Sequence, residues 1–254
     1  MMFSAADKST ACGMWSPTYF AALFIVVIMI VAGLCLYRKL KEKQVRAVLF
    51  SMATFTISTE IVKMIFTGLT YGIERVEFTP LYFCSSYMYA LVFSLCKNEK
   101  LRQIGLTFLF FGGIVGAAAF FLYPSACIPN YPIYHFMCIR TMLYHGSMIY
   151  TGIIIVLTGC YKPDISHYKN YLAFLGTIGA GAYIINTLSD GKYDYMYISK
   201  PLKIDFIKEI YNAIPNLYPF IALALQLTVP FFATYLVYYL IKKYSTKGLK
   251  NVHT

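Results

Sequence analysis

Long apolar runs separated by short charged stretches dominate the chain. Seven can be drawn, at about 17–37, 47–70, 80–96, 101–123, 136–159, 169–188 and 218–242. Eighteen or more mostly apolar residues predict a membrane helix, because about 20 residues at a 1.5 Å rise cross a 30 Å hydrocarbon core. The third run is the shortest, and the fifth and sixth carry the most interior polar groups. The pattern predicts an all-α integral membrane protein: one seven-transmembrane helix bundle over residues 1–254. The connection at 189–217 is an outer loop, in which DFIKEIYNAI has the apolar spacing of a short interfacial helix. The first run is too long, and too basic on its C-terminal flank, for a cleaved signal peptide.

Charge then orients the bundle. Only 13% of the 254 residues are charged, about half the share of a soluble domain. Fourteen of the 22 basic residues fall between runs 1 and 2, 3 and 4, 5 and 6, and after run 7. The positive-inside rule therefore predicts an N-terminus outside, or in a lumen, and a C-terminus in the cytoplasm. The net charge of +11 follows largely from this topology. It points to anionic lipid headgroups as partners and not to nucleic acid, since no basic patch accompanies a fold that reads bases.

The seven cysteines form no disulfide framework. Cys35, Cys96, Cys138 and Cys160 fall in or beside runs, where cysteine is usually a small hydrophobe. Cys12 and Cys127 lie on the outer side and could pair in an oxidising compartment. No CxxC and no Cys/His spacing points to zinc, so neither a metal nor a cofactor is expected.

Ionisable groups within membrane helices are costly and persist when they pair or line a cavity. STEIVKM in run 2 places Glu60 and Lys63 three apart on one helix face. Two readings are open, a self-neutralising pair and a polar wall facing a cavity. CIRTMLYHGSMIY in run 5 carries Arg140 and His145, with Gly146 and Ser147 leaving room for a helix or ligand. A neutral imidazole there can take a proton. IINTLSD closes run 6 with Asn186 and, at the rim, Asp190.

The octet TPLYFCSS, residues 79–86, opens run 3. If Pro80 starts the helix, Cys84 lies about 6 Å below the outer surface, in the same half of the bundle as Glu60, Arg140, His145 and Asn186. Helix rise leaves Cys84 and His145 as much as about 10 Å apart along the membrane normal. An imidazole can deprotonate a thiol for attack on a carbonyl, and a helix N-terminus favours the thiolate. A packing role for Cys84 stands beside that one.

PLYFC resembles the P-L-H-L-C signature of the YwaF-like family, which includes transmembrane protein 164. NYPIYHFMCIRTMLYHG, IN…DYMYISKP and LYPFIALALQ resemble further family segments in the same order, covering most of the chain from Pro80 to about residue 240. The resemblance implies a polytopic fold and, for the transmembrane protein 164 branch, acyl transfer on phospholipids by a cysteine nucleophile and a histidine partner. It carries those roles onto Cys84 and His145, and matches Asn186. Tyr82, Ser85 and Asp194 depart from the pattern, where the family has His, often an acid, and Asn.

The leading expectation is thus a lipid acyltransferase or acyl hydrolase with a Cys84 thioester. In it His145 acts as base and then acid, Arg140 and Lys63 hold a headgroup phosphate, and Glu60 or Asn186 orients the imidazole or polarises the carbonyl. The alternative is a transporter or receptor-like bundle that binds a small ligand or ion at the same cluster. A purely structural membrane protein is the third.

Overall fold

A computed structural model describes residues 2–189, 192–201 and 205–250; Asp190, at the rim of run 6, lies outside them. The described residues form helices with no strand. The eight α-helices are α1 (Pro17–Tyr37), α2 (Glu42–Tyr71), α3 (Ser86–Ser94), α4 (Glu99–Leu122), α5 (Phe136–Leu157), α6 (Tyr168–Leu188), α7 (Asp205–Ala213) and α8 (Tyr218–Lys250). Six of the seven runs are long helices, and DFIKEIYNAI supplies α7. Run 3 differs. Its helix has nine residues, about 14 Å of rise, too short to cross a hydrocarbon core. Pro80 does not start it: residues 80 and 81 are irregular, 82–85 take a bend and a turn, and α3 begins at Ser86.

Among the described residues five segments are long and apolar enough to cross a membrane: α1, α2, α4, Ile165–Leu188 and the Tyr218–Tyr244 part of α8. At 22 residues α5 has the length, but Arg140, Tyr144, His145 and Ser147 lower its mean hydropathy.

Helix α4 is the centre, with 67% of its most apolar window buried against 11–33% in the other four segments. It packs against α3, α5, α6 and α8, while α1 lies on α5 and α2 touches both α3 and α5. Small residues permit the close approaches. A Cβ on Gly105 of α4 would meet the Ser94 backbone nitrogen at 2.4 Å, and one on Gly146 of α5 would meet Val26 of α1 at 2.7 Å. The space at Gly146 is therefore filled by a neighbouring helix.

Helix ends are satisfied locally, as an apolar surround demands. Ser16 caps α1, with Pro17 in the first turn, and Asn98 caps α4 through the Lys100 and Leu101 N–H groups. The Arg46 guanidinium donates to the Leu95 carbonyl at the end of α3, at 2.9 Å. Inside α8, Pro230 cannot donate to the carbonyl of Gln226, and the Tyr171 hydroxyl takes that acceptor at 3.0 Å.

At the end of the bundle that carries the N-terminus, His135 caps α5. Its Nδ1 accepts from the Met137 N–H and its Nε2–H donates to the Ser4 carbonyl, both at 3.1 Å. The ring stacks on Tyr131. This arrangement needs the neutral imidazole, because a proton on Nδ1 removes the cap. Burial accordingly holds His135 below its ordinary 6.5. The unfolded chain takes up the proton first, so this contribution to stability is complete above about pH 6.5 and is lost as pH falls toward the lower folded value. The unfolding midpoint in detergent is expected to drop between about pH 7 and about pH 5. It should drop less steeply in His135→Asn, whose amide caps without titrating; parallel slopes would refute the assignment.

Candidate active site

The octet around Cys84 is held from four sides. The Leu81 side chain comes within 3.7 Å of where a Cβ on Gly181 of α6 would stand. The Tyr82 hydroxyl donates to Glu77 at 2.6 Å. Phe83 occupies the space left by Gly116 of α4, whose Cβ would stand 2.9 Å from its ring. The Cys84 thiol donates to the Gly116 carbonyl at 3.8 Å, and the Cys84 carbonyl accepts from the Tyr144 hydroxyl at 3.1 Å. Cys84 thus precedes α3 instead of lying in its first turn, and its resting thiol is protonated and engaged with α4.

His145 faces the same helix one turn away. Its ring stacks on Phe120 of α4 at a centroid distance of 3.9 Å, and Phe120 follows Gly116 by four residues, hence on the same face. His145 Nδ1 lies 2.8 Å from the Thr141 carbonyl. A carbonyl only accepts, so Nδ1 carries the hydrogen and Nε2 keeps its lone pair. Among the described residues no hydrogen bond joins His145 to Cys84. Neither Glu60 nor Asn186 orients the imidazole, the role expected of them; the Thr141 backbone does.

Glu60, Lys63 and Arg140 do come together. Arg140 Nη2 donates to Glu60 Oε2, and Lys63 Nζ lies 2.6 Å from Glu60 Oε1 and 3.9 Å from Glu77 Oε2. Two cations and two carboxylates leave no net charge, so Lys63 and Arg140 are occupied by acids and not free for a phosphate. Arg140 Nε–H is buried without a hydrogen-bond partner among the described residues. The guanidinium also lies over the Tyr144 ring, 5.4 Å from its centroid. The network therefore reaches Cys84 twice, through Tyr144 and through Glu77–Tyr82.

Asn186 serves a different element. Its amide accepts from the Tyr195 N–H at 2.8 Å and donates to the Tyr195 carbonyl and the Ser199 hydroxyl, each at 3.0 Å. This pins a strap, residues 193–199, in which Met196 and Tyr197 both take left-handed backbone, φ 57° and 52°. Such conformations cost non-glycine residues about 1–3 kcal/mol each. Further restraint comes from Gln226 Nε2 on the Met196 carbonyl at 2.8 Å and Asp194 Oδ1 on the Ser199 N–H at 2.9 Å. Tyr195 and Tyr197 then pack on Tyr82, with centroids 5.3 and 5.4 Å away. Tyr82, where the family pattern has histidine, is the strap's landing place.

Four residues escaped the sequence reading: Glu77, Thr141, Tyr144 and Phe120. Tyr144 carried a signal, as a polar aromatic four residues after a buried arginine. Glu77 lies in a loop, and Thr141 acts through a backbone carbonyl that any residue has.

The sequence profile of the TMEM164 family matches residues 14–239. The chain belongs to the TMEM164 family. It is a multi-pass membrane protein with helices long and apolar enough to span the bilayer. No curated protein and no solved structure matches it.

Two measurements check this geometry. Glu60→Gln strands Arg140 in a low-dielectric interior and is expected to cost about 3–5 kcal/mol of stability. Adding Arg140→Gln should recover part of that loss in unfolding experiments, whereas additive losses would disprove the pairing. Asn186→Ala removes the strap's amide partners. Hydrogen exchange at Tyr195–Ser199 is expected to rise at least tenfold, with α4 unchanged, since a net hydrogen bond contributes about 1 kcal/mol.

Proposed function

We propose that this protein is a membrane acyl-transfer enzyme acting on lipids through a thioester on Cys84. The carrying observation is the tautomer of His145: Nδ1–H on the Thr141 carbonyl leaves Nε2 basic, one α4 turn from the residue that holds the Cys84 thiol. Nε2 takes the thiol proton, the sulfur attacks the acyl carbonyl carbon of a phospholipid ester, and the departing lysolipid oxygen receives that proton from the imidazolium. A lipid hydroxyl or water then attacks the thioester by the reverse proton path. This requires the thiol to leave the Gly116 carbonyl and come within about 3 Å of Nε2, or within reach of one bridging water.

The charge balance shapes the substrate reading. A neutral cluster suits a carbonyl oxygen better than a phosphate, so the unpartnered Arg140 Nε–H is assigned to the acyl carbonyl and not to a headgroup. The same neutral cluster of Glu60, Lys63, Glu77 and Arg140 also favours a second reading, binding of a small ligand or ion without covalent chemistry.

An acyl-donating, thiol-reactive probe applied to the protein in lipid separates the two. Acylation is expected to vanish in Cys84→Ala and to slow about a hundredfold or more in His145→Ala. Undiminished acylation in both variants sinks the enzyme reading.

A further inference from the structure

Two cysteines lie in one buried cluster at the N-terminal end of the bundle, apart from the site above. Cys127 lies in the α4–α5 connection, where its carbonyl accepts from the Asn130 and Tyr131 N–H groups and turns the chain back toward α5. Cys138 lies in the first turn of α5. Both side chains are buried, Cys127 at 6% and Cys138 at 0% exposure. Cys127 Sγ lies 3.3 Å from the Met137 carbonyl and 2.9 Å from the Thr141 hydroxyl. Met137 adjoins Cys138, and Thr141 follows Cys138 by three residues, so Cys127 packs on the turn of α5 that carries Cys138. Cys138 Sγ in turn lies 3.6 Å from the Tyr131 carbonyl, and the Tyr131 N–H donates to the Cys127 carbonyl at 3.1 Å, so one turn of chain holds the two cysteines together.

The surroundings suit exchange chemistry at Cys127. The neighbouring Cys138 side chain holds the Cys127 thiol below its ordinary value, and the Thr141 hydroxyl and Arg140 guanidinium act in the same direction against burial. Cys12, the pairing partner that the sequence left open for Cys127, has its Sγ 3.2 Å from the Ser16 hydroxyl.

We propose that Cys127 and Cys138 are a redox pair that closes to a disulfide by exchange with a small disulfide compound. The Cys127 thiolate attacks one sulfur of the oxidant, forming a mixed disulfide and releasing one thiol. The Cys138 sulfur then attacks Cys127 Sγ and expels the second thiol. Two protein thiols are oxidised, one disulfide is reduced to two thiols, and the two protein protons pass to the released sulfurs. The positive-inside expectation puts this face on the non-cytoplasmic side, where such oxidants persist. Closure staples the connection to α5 and takes Cys127 from the Thr141 hydroxyl, in the turn whose carbonyl orients His145. The pairing itself does not depend on the acyl-transfer reading.

The test uses the full chain in detergent, equilibrated with mixtures of reduced and oxidised glutathione, quenched with N-ethylmaleimide under denaturing conditions and mapped by peptide mass. The expected product joins Cys127 to Cys138, lighter by two hydrogen atoms and reversible by reductant. Cys12→Ser should give the same product at the same buffer ratio, and Cys127→Ser should lose it. A linkage from Cys12 to either cysteine, a mixed disulfide that never resolves, or full alkylation of both thiols in oxidised buffer would each overturn the pairing. Because the wild-type map decides, a variant that fails to fold does not blur the result.

Discussion

Polar groups carried into an apolar bundle must find partners there, since neither lipid nor a dry interior supplies them. Glu60 and Arg140 meet this constraint across α2 and α5, and much of the surrounding geometry follows from it. The pair fixes the outward face of α5 and so the direction of Tyr144, whose hydroxyl holds the Cys84 backbone. Lys63 extends the network to Glu77, and Glu77 to Tyr82 on the other flank of the same cysteine. Cys84 is thus fixed by a charge network that never touches its sulfur.

Central α4 provides the second frame. Its glycines let α3 and the octet approach its backbone, and one of its faces carries both the Gly116 carbonyl and the Phe120 ring. The thiol and the imidazole are arranged by a helix that contributes no reactive group.

The long helices were legible because the apolar run, the Ser16–Pro17 start and the Asn98 cap are local properties. α3 was not: Pro80 fits a helix start equally well, and only the tertiary grip on Leu81, Tyr82 and Phe83 holds those residues out of the helix. The Glu60–Lys63 pair followed from spacing, whereas the Arg140 contact needed the packing of two distant segments. Asn186 showed as a buried amide, but its partner, a strap with left-handed Met196 and Tyr197, has no glycine to announce it. Cys84 and His145 were singled out by residue type and family likeness, and the tautomer that gives His145 its chemistry came from a backbone oxygen.

Pro230 carries a consequence across the fold. By withholding an N–H it frees a carbonyl for Tyr171, and the side chain of that same Gln226 grips the strap at Met196. Proline, tyrosine, glutamine and strap form one inherited unit spanning α6, α8 and the loop over Tyr82. A lineage that replaced the proline with an ordinary helix former would close the carbonyl and orphan a buried phenol. Substitutions at these positions should therefore appear together among descendants, even though the residues lie up to 59 positions apart in sequence.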